Sequence, residues 1–236
     1  YLRDQGSRVI LMSHLGRPKD APDPALQLDP VASRLGQLLA IPVRKAGEFS
    51  GPGVAAAVDS MKAGDVLLLE NSRFDPREKK NDAGLAAELA GVADLYVNDA
   101  FSAAHRAHVT TAGVAALLPT VAGLQMEKEL EALSGLLSDP KRPFVVVLGG
   151  AKVTDKIKVI DRFLDLADMI LVGGAMSFAF LRAQGLSTGA SMVEEAGVEI
   201  AGTALEKAEK SECRLILPSD VVVAEALSES VPTLVV

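Results

Sequence analysis

FVVVLGGAKVTDKI, residues 144–157, reads as a strand, a glycine turn and the start of a helix. The apolar run is short and β-branched, two glycines stop it, and a lysine-bearing segment with helical spacing follows. That order opens a parallel βαβ unit, because parallel strands need a long crossover between them. VILMSHLGR, residues 9–17, rhymes with it: an apolar run followed at once by glycine and a basic residue. Further apolar runs at residues 66–69, 95–98, 169–172 and 215–217 predict more strands. Residues 29–40 carry Val31, Leu35, Leu38 and Leu39 at helical spacing, with Pro30 suited to a first turn, and residues 83–91 form a second such stretch. Strands alternating with helices predict parallel α/β sheets covered on both faces. A third helix, residues 124–137, ends at the stop signal Ser138-Asp139-Pro140, and a new strand then begins. This predicts two α/β domains, with the boundary at that helix.

Composition narrows the function classes. The 236 residues are 49% hydrophobic and 23% charged, with a formal net charge of −7. An acidic chain makes a poor nonspecific nucleic-acid binder. Aromatic residues are only 4% and tryptophan is absent, which argues against base-stacking platforms. The single cysteine, Cys213, has no internal disulfide partner and reads as a small, half-buried residue. Apolar stretches such as residues 169–181 are broken by glycine or serine and fall short of the roughly 20 residues that span a bilayer. No signal peptide is visible, although the chain begins at Tyr1 rather than at Met.

Ligands of open parallel sheets bind beyond the carboxyl ends of the strands. There the sequence places His14 and Arg17 after the first strand and Arg73 after the 66–69 run. His105, Arg106 and His108 follow the 95–98 run. One arginine after a strand is ordinarily a solvated loop residue. Three basic strand ends of one sheet predict instead a basic pocket for a small, multiply anionic ligand. A metal site built from His14, His105 and His108 is disfavoured. No cysteine or carboxylate cluster has ligand spacing, and the arginines would repel a cation.

In the second half, Lys152 and Lys156 are four residues apart, which predicts one shared face near the start of a helix. Cations there oppose the helix dipole, so they are expected to meet an anion. The pairs Gly149-Gly150 and Gly173-Gly174 end neighbouring strands and form a candidate flat wall for an adenine or ribose. Each pair alone reads first as an ordinary tight strand-to-helix turn. Neither a Walker A loop nor G-x-G-x-x-G occurs.

SHLGRP, LLLENSRF with EKKND, YVNDAFSAAHRAH, LQMEKELEAL, VVVLGGAKVTDKIKVI and ILVGGAMSFAFL together resemble phosphoglycerate kinase, collinearly from about residue 7 to 223. The resemblance implies an α/β fold of two Rossmann-like parallel-sheet domains joined by an interdomain helix, both incomplete here. Residues 1–123 correspond to the 3-phosphoglycerate domain without its first strand, 124–140 to the helix and linker, and 141–236 to the first part of the nucleotide domain. The implied reaction is phosphoryl transfer between 1,3-bisphosphoglycerate and Mg-ADP, giving 3-phosphoglycerate and ATP. A hinge is expected to bring the two domains together.

Carried over by residue, His14, Leu15, Gly16 and Arg17 match a substrate-binding motif. Arg73 and Arg106 match further substrate arginines, and His105 belongs to the same patch. Gly150, Ala151, Gly173 and Gly174 match the nucleotide wall. Lys156 matches a nucleotide-binding lysine, and Lys152 the lysine that meets the migrating phosphoryl group; both are candidate catalytic residues. The implied cofactor is Mg²⁺ carried with ATP or ADP, with no protein metal site. Neither nucleic acid nor membrane is an expected partner, and the full-length protein is expected to be a cytoplasmic monomer. The family also has an earlier strand with an Asp-x-Asn motif, a catalytic arginine after it, and later strand ends that complete the nucleotide pocket. None of these is in the sequence. The chain alone is therefore expected to be inactive or nearly so, and a noncatalytic anion- or nucleotide-binding fragment remains the alternative.

Overall fold

Leucine-rich β3 (Val66–Leu68) is buried along its whole length, because it lies between two neighbours in its sheet and under side chains on both faces. The computed structural model describes residues 1–19, 22–226, 228 and 230–236. β1 (Val9–Leu11) and β2 (Val43–Lys45) flank β3, both parallel to it, with Val9 and Val43 each opposite Val66. Alternation along the strand divides the core. Leu67 and Leu69 join Phe49, Val54, Val58 and Leu85 on one face, and Leu68 joins Leu28 and Ala32 on the other. A strand buried on both faces has to read as continuous leucine and valine, and this one does.

The helices around this sheet are α1 (Asp29–Leu39), α2 (Pro52–Asp59) and α3 (Ala83–Ala90). Pro30 sits in the first turn of α1 as expected. The Asp82 carboxylate caps α3 by accepting the Leu85 N–H at 2.9 Å. The apolar stripe of α1 does not behave as its spacing suggested. Ala32 is buried, whereas Val31, Leu38 and Leu39 are exposed. A three-stranded sheet offers a face narrower than the stripe.

The third basic strand end belongs to a different ladder from the first two, which corrects the expectation of one sheet. β4 (Tyr96–Asn98) pairs in parallel with β5 (Thr120–Ala122) and not with β1. A cavity of about 840 Å³ lies between β1 and β4. Residues 9–12 and 95–98 line it from the two strands, with Val58, Leu69, Leu89 and Val114 among the core side chains around it. α4 (Leu124–Ser138) follows β5. Its first turn is held by the Asp99 carboxylate, which accepts the N–H groups of Gln125 at 2.7 Å and Met126 at 2.9 Å. A negative group at a helix N-terminus also complements the helix dipole.

The chain divides into two compact units, Tyr1–Ala132 and Leu133–Val236, and the division falls inside α4. In the second unit β6 (Val145–Leu148), β7 (Met169–Val172) and β8 (Arg214–Ile216) form a parallel sheet in the order β6-β7-β8. α5 (Ile157–Leu164), α6 (Met176–Ala183) and α7 (Glu195–Glu209) pack with it. The core holds Ile160, Ile170, Met176 and Phe180, and α7 meets it through the small residues Ala201 and Ala204. Cys213 is buried in the same core, and that burial pushes its thiol pKa up. β9 (Val222–Ala224) and β10 (Thr233–Val235) form a separate antiparallel pair.

Candidate functional site

In the first unit, one buried side chain gathers the first two basic strand ends. Asn71 follows β3 and is fully buried. Its amide donates to the carbonyls of Leu15 at 2.8 Å and Leu26 at 2.9 Å, and its Oδ1 accepts the Arg73 N–H at 3.1 Å. The Ser72 N–H adds a bond to the Ser13 carbonyl at 3.0 Å. The loop after β1 and the turn bearing Arg73 therefore move as one body. Gly16 makes the fit possible. Its φ is +65°, and a Cβ there would lie 2.6 Å from Leu26 Cδ2. Arg73 Nη1 closes the arrangement by donating to the Gly16 carbonyl at 2.5 Å.

The third strand end reaches the same place through Arg106. The charges of Arg106 and Arg17 reinforce partial burial in lowering the pKa of Arg73, while Glu78 acts against them. His14 is held below its ordinary pKa, first by partial burial of its ring and then by Arg73, Arg106, His108 and Lys79. His14, Arg17, Arg73 and Arg106 thus lie near one another, and His108, which the spacing put at the third strand end, and Lys79 act on His14 as well. His105 lies beside Arg106, with its Nε2 3.4 Å from the arginine Nε.

This crowding gives a proton linkage. His14 favours its neutral form in the empty pocket, so its own pKa lies below 6.5. An arriving anion favours the charged ring and raises that pKa. Binding therefore takes up a proton, and affinity climbs as pH falls from about 7 toward the free value, by at most about tenfold per pH unit. Sulfate is a suitable probe because its charge is constant over this range. Calorimetry in two buffers of unlike ionisation heat should show uptake for the native chain and less for His14→Gln; equal uptake in both would remove His14 from the pocket.

In the second unit, the two glycine pairs lie side by side at the sheet's carboxyl end. The Gly173 N–H donates to the Leu148 carbonyl at 2.8 Å and the Met176 N–H to the Gly150 carbonyl at 2.7 Å. Gly174 has φ +64°, and a Cβ there would lie 3.5 Å from the Gly150 nitrogen. The two turns are thus tied together through backbone, and Ala151 beside them is exposed.

The shared helical face of Lys152 and Lys156 is not formed. α5 begins only at Ile157; Lys156 is its N-cap residue, and Lys152 lies in the preceding turn. The cause is Glu194, just before α7. Its carboxylate accepts the N–H groups of Val153 at 2.8 Å and Thr154 at 3.2 Å, and the Thr154 hydroxyl at 2.5 Å. Fully buried Val153 anchors the turn from beneath. Both lysines remain exposed near the glycine pairs. Glu194 is held below the usual glutamate range, chiefly by the Thr154 hydroxyl, with the Lys152 charge contributing.

Among the described residues, no group of three or more His, Cys, Asp or Glu is placed to hold a metal ion. No described helix is long and apolar enough to cross a membrane.

The family model described as phosphoglycerate kinase matches residues 1–235. A phosphoglycerate kinase of Rubrobacter xylanophilus is 56% identical over 233 residues, covering 99% of this chain and 58% of the relative. That of Moorella thermoacetica is 51% identical over 236 residues, covering 100% of this chain and 60% of the relative. Among solved structures, phosphoglycerate kinase from Coxiella burnetii superposes with a TM-score of 0.82 at 38% identity, over 99% of this chain and 59% of that one. The enzyme from Pyrococcus horikoshii gives 0.77 at 30% identity, over 95% and 58%. The chain thus spans somewhat under two thirds of each relative's length, and it belongs to the phosphoglycerate kinase family.

Proposed function

We propose that these residues serve phosphoryl transfer between 1,3-bisphosphoglycerate and Mg-ADP, giving 3-phosphoglycerate and ATP, in a longer parent enzyme. The observation that carries this reading is the approach of Arg106 to His14, Arg17 and Arg73, whose loops Asn71 ties together. Such a pocket neutralises a ligand carrying both carboxylate and phosphate, and arginine's planar donors suit each group. Leu15 and Gly16 shape its floor, and His105 borders it beside Arg106. The glycine wall at Gly150, Ala151, Gly173 and Gly174 takes the nucleoside, and Lys152 and Lys156 take its phosphates.

Phosphoryl transfer asks for alignment and charge neutralisation rather than a protein nucleophile. Lys152 then has the catalytic role of meeting the migrating group, and Lys156 steadies the nucleotide. Magnesium fits as an ion carried on nucleotide phosphates, where it neutralises charge when bound; the described residues offer no protein cage for it. On this reading residues 1–123 form the acid domain, 124–140 the joining helix and linker, and 141–236 the start of the nucleotide domain.

The test is Arg17→Ala in the full-length parent. Titration calorimetry should show 3-phosphoglycerate binding at least tenfold weaker and Mg-ADP binding unchanged; an unchanged acid affinity would overturn the pocket assignment. In the same study the 236 residues alone should give no turnover in a coupled assay, and turnover from them would overturn this part.

A further inference from the structure

We propose that Glu78 is a positioning residue that fastens the Arg106 arm of the basic pocket and serves as a counter-charge beneath it. Glu78 opens a 3-10 turn, Glu78–Lys80, and is only 2% exposed. Its carboxylate accepts the Thr110 hydroxyl at 2.5 Å and the Thr110 N–H at 3.1 Å, and lies 3.8 Å from His108 Nδ1. From Thr110 the connection continues through the neighbouring residue. The Thr111 hydroxyl donates to the Arg106 carbonyl at 2.5 Å and accepts the His108 N–H at 3.0 Å. The Tyr96 hydroxyl, donating to the Thr110 carbonyl at 2.5 Å, ties the same segment to β4. The segment after β3 and the segment after β4 are thereby joined across the gap between their two ladders.

Packing alone does not call for a carboxylate here. Burying one is costly, and burial pushes the Glu78 pKa up against the opposing effects of Thr110 and His108. What a carboxylate adds is reach to two donors and a negative charge. That charge is felt at Arg73, where it opposes Arg106 and Arg17. Three positive groups, Arg73, Arg106 and Lys79, can then stand round His14, with Arg17 acting on Arg73. The second unit uses the same device, a glutamate holding a threonine by N–H and hydroxyl together, at Glu194 and Thr154.

This inference rests on the reading of the pocket as the 3-phosphoglycerate site, and the two roles of Glu78 separate by substitution. Glu78→Gln keeps an acceptor for the Thr110 N–H and a group for its hydroxyl, but removes the charge. Glu78→Ala removes both. In the full-length parent, calorimetric titration should give at least tenfold weaker 3-phosphoglycerate binding for Glu78→Ala. For Glu78→Gln it should give binding tighter than native, because the competing negative charge is gone; an affinity equal to native overturns the counter-charge role. Mg-ADP binding should stay unchanged in both. A purely structural residue would not produce that opposite pair.

A folded Glu78→Ala with native acid affinity, or a Glu78→Gln as weak as the alanine variant, overturns the proposal. Should Glu78→Ala fail to fold, Glu78→Asp keeps the charge one methylene short of Thr110. It should also bind at least tenfold more weakly, and native affinity there overturns the proposal as well. Arg17→Ala in the same titrations separates the two failures: if it too leaves acid affinity intact, the pocket reading itself falls.

Discussion

Lys152→Ala in the full-length enzyme should lower kcat by about a hundred- to a thousandfold while KM for the acid and the nucleotide shifts by less than about threefold. Lys152 is exposed beside the Gly149-Gly150 turn, in a loop that Glu194 and buried Val153 hold rigid. A fixed cation aimed where negative charge is shared in the transition state contributes most there, with little loss in the ground state. The expected loss corresponds to roughly 2.7–4 kcal/mol of transition-state stabilisation. Lys152→Arg, which keeps the charge but alters the donor geometry, should fall between alanine and native. Steady-state kinetics decide it: a kcat near native with a raised KM would make Lys152 a binding residue only.

Asn71→Ala should destabilise the first unit by about 3 kcal/mol, since a fully buried side chain is lost and the partly buried Leu15 and Leu26 carbonyls and Arg73 N–H lose their partner. On a domain of this size the melting temperature should fall by roughly 6–12 °C. Acid binding should fall with it, because the loop bearing His14 and Arg17 loses its tie to Arg73. Asn71→Asp is the sharper form of the test. It fills the same volume but turns a negative oxygen toward two carbonyls. Chemical denaturation and acid titration measured together settle it: a native midpoint in Asn71→Asp would show that the side chain does not hold the loop.

The strands were legible because burial on both faces leaves little choice of residue, as in Val66–Leu68 and Val145–Leu148. The basic strand ends were legible because arginine and histidine directly after apolar runs are conspicuous. What the sequence concealed is how they are brought together. Asn71 and Glu70 follow four apolar residues and look like an ordinary turn, yet both are buried; the Glu70 carboxylate holds the Leu28 N–H at 3.0 Å and Lys45 at 2.6 Å. The late start of α5 is set by Glu194, about 40 residues downstream of the turn it ties, beyond the reach of any local pattern. Likewise His105 and His108 are indistinguishable by spacing. The structure adds that His108 lies 3.8 Å from the Glu78 carboxylate and acts on His14, whereas His105 meets Arg106.

The placement of the three histidines has a practical consequence. Without tryptophan the protein has no indole emission to follow. All three of its imidazoles, at positions 14, 105 and 108, lie within or beside one pocket. Their ring C–H resonances therefore form an intrinsic, label-free spectroscopic window on that pocket, with no fourth histidine to obscure it. Two of the three sit near Arg73 or Glu78, and the third beside Arg106, so one proton spectrum samples separate arms of the pocket at once.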